Sequence, residues 1–227
     1  MVFVVAKTQY YTATSIDGFT ADLDNSLDWL FEVDEGTDNP FGAFFSNVGA
    51  FAMGATTYEW VVANDNVIEE PENWHDMYGD VPCWVFTHRE LPVVPDANIF
   101  MVSGDVRRVH EAMMVAAQGR NVWLAGGGDL VAEFADAGLL DEIILAVAPV
   151  MLGSGTPLLP RKISAQQLAL TNVTQMGQFA YMSYAVGTLA SLGRHMAADV
   201  LSRSPVLSDH PGPPGALRPT AGNLGRL

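Results

Sequence analysis

Apolar positions along residues 1–187 fall into short blocks separated by stretches with a helical period. The blocks predict strands at Tyr10–Thr14, Ala50–Met53, Cys83–Thr87, Ile99–Val102, Val122–Ala125 and Ile143–Ala148. A late pair follows at Leu168–Gln175 and Phe179–Val186, joined across Met176-Gly177-Gln178. Between the strands, helices are predicted over Pro40–Asn47, Thr56–Ala63, Val106–Gln118 and Asp129–Ala137. In the last of these Leu130, Val131 and Phe134 share one face, and Gly138 stands where a left-handed C-terminal cap is wanted. Strands alternating with helices predict an α/β layered sheet, mostly parallel, with helices on both faces and an antiparallel hairpin at one edge. The stretch ENWHDMYGD reads as polar, with His75 a surface loop histidine.

From about Thr188 the pattern stops and the sequence becomes dense in Pro, Gly and Ser. Such a segment buries too little surface to offset its ordering entropy. The chain therefore divides into a folded domain at 1–187 and a tail at 188–227 expected to be disordered, with a short helix around Leu189–Leu201 as the exception. Charge shifts at the same place: residues 1–187 carry 7 basic and 24 acidic side chains, whereas 188–227 carry 4 Arg and 2 Asp.

The net charge of −15 argues against a sequence-independent grip on nucleic acid, which needs Lys and Arg facing phosphates. A single cysteine, Cys83, and the absence of any Cys/His cluster at zinc-ligand spacing exclude a structural metal site from the expectation. The longest apolar run, near Ile143–Leu152, contains a proline and is too short to cross a bilayer. With no export signal at the N-terminus, a cytoplasmic protein without membrane partners is expected.

Candidate chemistry centres on NVWLAGGGDLVAEF, where three glycines lie between a strand and a helix. Backbone free of side chains at a helix N-terminus is a cradle for an anion, or simply a strand-to-helix turn. The strict dinucleotide fingerprint fails, because Val131 occupies the third glycine's place.

Five stretches in order decide more: YYTATSIDGFTADLDNSLDWL (10–30), FAMGATTYEWV (51–61), PCWVFTHREL (82–91), VWLAGGGDLVAEFADAGLLDEIILAVAPVMLGSGTPLL (122–159) and GQFAYMSYAV (177–186). Together they resemble the dihydrofolate reductase-like family, in particular the branch similar to the C-terminal reductase domain of the riboflavin-biosynthesis enzyme. The resemblance implies an NADPH-dependent reductase, with NADH as the alternative cofactor, acting on a small heterocyclic or carbonyl substrate of pterin or pyrimidine type. A non-catalytic nucleotide-binding or regulatory module on the same fold is the rival reading.

The resemblance also implies roles for residues. Gly126, Gly127 and Gly128, with Asp129 and Leu130 behind them, would contact the cofactor's diphosphate, and the Gly126–Gly127 peptide would be cis. Gly54 and Thr57 would lie against the phosphates, with Ala55 standing where the family has an arginine. Thr87, His88 and Arg89 would meet the 2′-phosphate of NADPH, Arg89 partly offsetting Ala55. On the substrate side Asp17 and Asp38 are rival proton donors and Trp29 a pocket wall, while Gly153, Gly155 and Pro157 border the mouth. Read by themselves, Asp17 is also a turn aspartate and Asp38 a helix cap. A ribose phosphate on the substrate would call for basic residues, and only Arg161 and Lys162 stand near that loop. Family members commonly pair through their late strands, which implies a homodimer.

Overall fold

A computed structural model describes residues 5–36 and 40–187; Asp38 and the expected tail at 188–227 lie outside the described residues. In chain order the elements are β1 (Thr8–Thr14), β2 (Phe19–Ala21), α1 (Asp28–Phe31), α2 (Pro40–Phe45), β3 (Val48–Gly54), α3 (Ala55–Asn64), α4 (Glu72–Tyr78) and β4 (Cys83–Phe86). They continue with β5 (Ile99–Val102), α5 (Val106–Ala117), β6 (Asn121–Gly126), α6 (Gly128–Asp136), β7 (Glu142–Val147), β8 (Thr156–Pro157), β9 (Leu168–Met176) and β10 (Phe179–Val186).

Eight strands form one sheet in the order β5-β4-β3-β6-β1-β7-β10-β9, and β2 with β8 forms a separate ribbon. The strands from β5 to β7 pair in parallel, whereas β10 runs antiparallel to both β7 and β9. Parallel strands covered on both faces read as continuous apolar runs, and β3, VGAFAMG, is buried at every position but its last. On one face Phe41, Phe44, Phe45, Tyr58, Val61, Trp74 and Tyr78 from α2, α3 and α4 pack into an aromatic core with Phe51 and Trp123. On the other, Val106, Met113, Leu130, Val131 and Phe134 from α5 and α6 pack against Tyr10, Leu124 and Leu145. Gly138, at φ +70°, closes α6 in the left-handed region expected of it.

Two regions depart from the sequence reading. The ENWHDMY stretch is a helix rather than a loop, because Trp74 and Tyr78, one turn apart, both bury against Phe51. The β2–β8 ribbon joins two segments that read as loops, and pairs Phe19 with Pro157 and Ala21 with Thr156.

Candidate active site

Strands β3 and β6 lie side by side in parallel, yet the chain leaves their carboxyl ends in opposite directions. From β3 it passes through α3 and α4 outward to β4; from β6 it passes through α6, on the other face, across β1 to β7. Such a switch point leaves a crevice at the carboxyl ends of the strands.

Both helices begin at that crevice. Their N-cap residues, Gly54 for α3 and Gly127 for α6, are extended glycines, and neither helix has a side chain capping its first amides. Helix α5 shows the contrast, since the Asp105 carboxylate accepts from the Arg107 amide at its start. Two uncapped N-termini offer first-turn N–H groups and two positive dipole ends to an anion. A side chain is disfavoured at Gly126, and Gly54 lies in ordinary contact with Gly127. Gly126 has φ +145°, and a Cβ on it would stand 3.2 Å from Thr57 Oγ1; a Cβ on Gly54 would stand 3.6 Å from the Gly127 nitrogen. Gly54, Thr57, Gly126 and Gly127 thus come together, and the Gly126–Gly127 peptide is cis.

The neighbouring expected residues serve differently. A Cβ on Gly128 would meet the Leu158 carbonyl oxygen at 2.7 Å and that of Pro157 at 2.8 Å, so this glycine admits the loop after β7. The Leu130 side chain is buried in the core and leaves only its amide to the crevice, while the Asp129 carboxylate is exposed in the first turn of α6.

Asp17 is placed as a clasp. Its Oδ1 accepts from the Ser15 hydroxyl at 2.6 Å and from the Leu152 amide at 3.1 Å, and its Oδ2 accepts from the Gly153 amide at 2.7 Å. The Ser15 hydroxyl, with the Gly153 and Leu152 amides, holds the carboxyl below its ordinary range. A carboxylate so held joins two loops, the one after β1 and the one after β7. Gly155 completes the seam, since a Cβ there would collide with the Ala21 carbonyl. Gly155 therefore seats this loop on β2, and Gly128 of α6 receives its far end.

Beside the crevice, on the aromatic face, lies a cavity of about 260 Å³. It is lined by Tyr11, Thr12 and Ala13 of β1, Trp123 and Ala125 of β6, Ala146 of β7, and Phe179 and Tyr181 of β10, with Leu30, Glu35 and Phe41 above. Trp29 is not in this lining. It is packed into the core beside it, with its Nε1 buried and lacking a partner among the described residues, and its neighbour Leu30 takes the wall position.

Two phenols here escaped the sequence reading. Tyr11 pairs with Ile144 and Tyr181 with Ala146, from opposite sides of β7, so both sit on one face of the sheet. Each phenol lies close enough to shift the other's titration. Burial raises both phenols above their ordinary value; Tyr181 raises Tyr11 further, Tyr11 lowers Tyr181, and Glu35 raises both.

At the end of β4, next to Gly54 in register, Thr87 opens a turn in which its hydroxyl accepts from the Arg89 amide at 2.9 Å. His88 is exposed. Arg161 is remote from the aromatic cavity: it lines a second cavity on the opposite face and donates to Asp136 at 2.9 Å.

Residues 6–181 match the family model described as RibD C-terminal domain. Uncharacterized protein YwjB of Bacillus subtilis is 34% identical over 178 residues, which cover 78% of this chain and 97% of that protein. Uncharacterized protein YyaP of the same organism is 26% identical over 151 residues, covering 64% and 76% respectively. A crystal structure named for riboflavin biosynthesis, from Shewanella sp. PV-4, superposes with a TM-score of 0.65 at 24% identity, covering 80% of this chain and 99% of that one. The diaminohydroxyphosphoribosylaminopyrimidine deaminase/5-amino-6-(5-phosphoribosylamino)uracil reductase of Thermotoga maritima superposes at 0.55 with 15% identity, over 81% of this chain and 57% of that one. Both structures share the fold.

Proposed function

The chain belongs to the RibD C-terminal domain family, and we propose that it is a reductase that draws hydride from a nicotinamide dinucleotide to reduce a small heterocyclic or carbonyl compound. The observation that carries the reading is the pair of uncapped, glycine-started helices at one switch point, adjoining a cavity with two phenols. The dinucleotide, when bound, supplies the hydride. The first-turn amides of α3 and α6 hold its diphosphate, and the Thr57 hydroxyl adds a donor beside Gly126. The walls around Ala13, Ala125 and Ala146 admit a flat ring next to the sheet.

Reduction of a C=N or C=O group also needs a proton. Tyr181 gives its phenolic proton to the substrate atom that gains negative charge, and Tyr11, by donating to the Tyr181 oxygen, steadies the phenolate left behind. Glu35 opposes a standing negative charge there, which keeps the phenol protonated until the transfer. The phenols favour catalysis over mere nucleotide sensing. The Arg161 guanidinium, on the far face and engaged by Asp136, gives this cavity no partner for a substrate phosphate. An unphosphorylated substrate is the one proposed. The outer edge of β9, where Leu170 and Val173 are exposed, is the proposed homodimer surface, and the mass in solution checks it.

Titration with NADH and NADPH, followed by tryptophan quenching, tests the cofactor half of the proposal. Saturable quenching by either supports it, and none by either refutes it. A screen of pterin, pyrimidine and carbonyl acceptors for dinucleotide oxidation then tests turnover.

A further inference from the structure

Resting on that reading, the dinucleotide runs along the carboxyl ends of the strands. Its reducing end lies at β1, β7 and β10, and its diphosphate at β6 and β3; its adenosine end falls beyond β3, over β4. What waits there is an ion pair already made. Arg89 Nη1 and Nη2 donate to Glu59 Oε1 and Oε2 of α3 at 2.8 and 2.9 Å, a two-point fork. The other charges nearby give no positive surplus: Arg107, 3.8 Å from Asp105, and the exposed Arg108 after it, together with Arg89, are matched by Glu59, Glu90 and Asp105, and Ala55 offers no charge at all.

A 2′-phosphate is a dianion. To be held here it would have to take Arg89 from Glu59 and then remain beside the released carboxylate. A free 2′-hydroxyl asks for less, because it is a donor, and the Glu59 oxygens keep lone pairs to accept it while still bound to Arg89. An acidic side chain receiving the ribose hydroxyl, and repelling a phosphate in its place, is how such selectivity arises in dinucleotide sites generally.

We infer that Glu59, by holding Arg89, fits the adenosine end to a free 2′-hydroxyl, so that the chain takes NADH at least as well as NADPH. Isothermal titration of the full chain with each dinucleotide tests this in the wild type, in Glu59→Gln and in the double variant Glu59→Gln/Arg89→Ala. The wild type shows a Kd for NADPH no lower than that for NADH. Glu59→Gln frees Arg89 for the phosphate and tightens NADPH about tenfold, with NADH changed less than about threefold. The double variant loses that gain. A wild type binding NADPH tenfold or more tightly than NADH, or a Glu59→Gln variant with an unchanged ratio, overturns the inference and leaves the dinucleotide site standing. Failure of both dinucleotides to bind overturns the site as well. Both changes lie at an exposed pair, and matched thermal melts confirm that the variants are folded.

Discussion

Two cavities of about 260 Å³ each lie on opposite faces of one sheet, and size does not tell them apart. The one on the α5–α6 face is walled by Ile143, Leu145, Leu158, Leu159, Ile163 and Leu168, and its polar groups are occupied at home: the Tyr10 hydroxyl donates to the Leu158 carbonyl at 3.0 Å, and Arg161 to Asp136. The one on the α2–α3 face adjoins the glycine crevice and counts Tyr11, Thr12, Tyr181 and Glu35 among its lining residues. The difference teaches that place in the fold, rather than volume, marks a site. Only the second cavity also borders an anion cradle.

Removing chemistry from the second cavity has the largest expected effect. Tyr181→Phe lowers turnover at least about 100-fold in steady-state assays of the reductase reaction, with dinucleotide affinity unchanged. Loss of affinity together with turnover would show the phenol to be a structural part only. Next comes the cradle. Gly126→Ala forces a side chain into a left-handed φ beside Thr57, and weakens dinucleotide binding about 30-fold, near 2 kcal/mol, in isothermal titration.

The clasp ranks third. The folded Asp17 carboxyl titrates below its ordinary value near 3.8, so its stabilising contribution is full above that pH and fades as pH falls through the folded value. Chemical denaturation series of wild type and Asp17→Asn therefore diverge at neutral pH and converge in acid; curves separated equally at all pH values would remove the clasp from the account. Least of all, Leu168→Phe, filling the first cavity, changes dinucleotide affinity less than about twofold.

Much of this was legible in the chain. Buried parallel strands show themselves as apolar runs, and three consecutive glycines after one of them announce a backbone that something must approach. Helix α4 was harder: seven residues of which Trp74 and Tyr78 are buried look polar on average, although their spacing of one turn carried the signal. Asp17 stood out, but its bonds did not, because two of its three donors are amides beyond β7. Tyr11 and Tyr181 look like ordinary strand aromatics, and only their shared register across β7 makes them a pair. Glu59 and Arg89 likewise gain meaning from an approach between α3 and the end of β4 that no local pattern encodes.

The central claim is that the crevice between β3 and β6 holds a diphosphate while the nicotinamide occupies the tyrosine-lined cavity. A crystal structure of the protein grown with NADH measures this most directly. The account predicts phosphate oxygens within hydrogen-bonding distance of the first-turn amides of α3 and α6, with the nicotinamide ring beside Tyr181. A dinucleotide seated in the aliphatic cavity of the opposite face, or phosphates touching neither helix start, would contradict it.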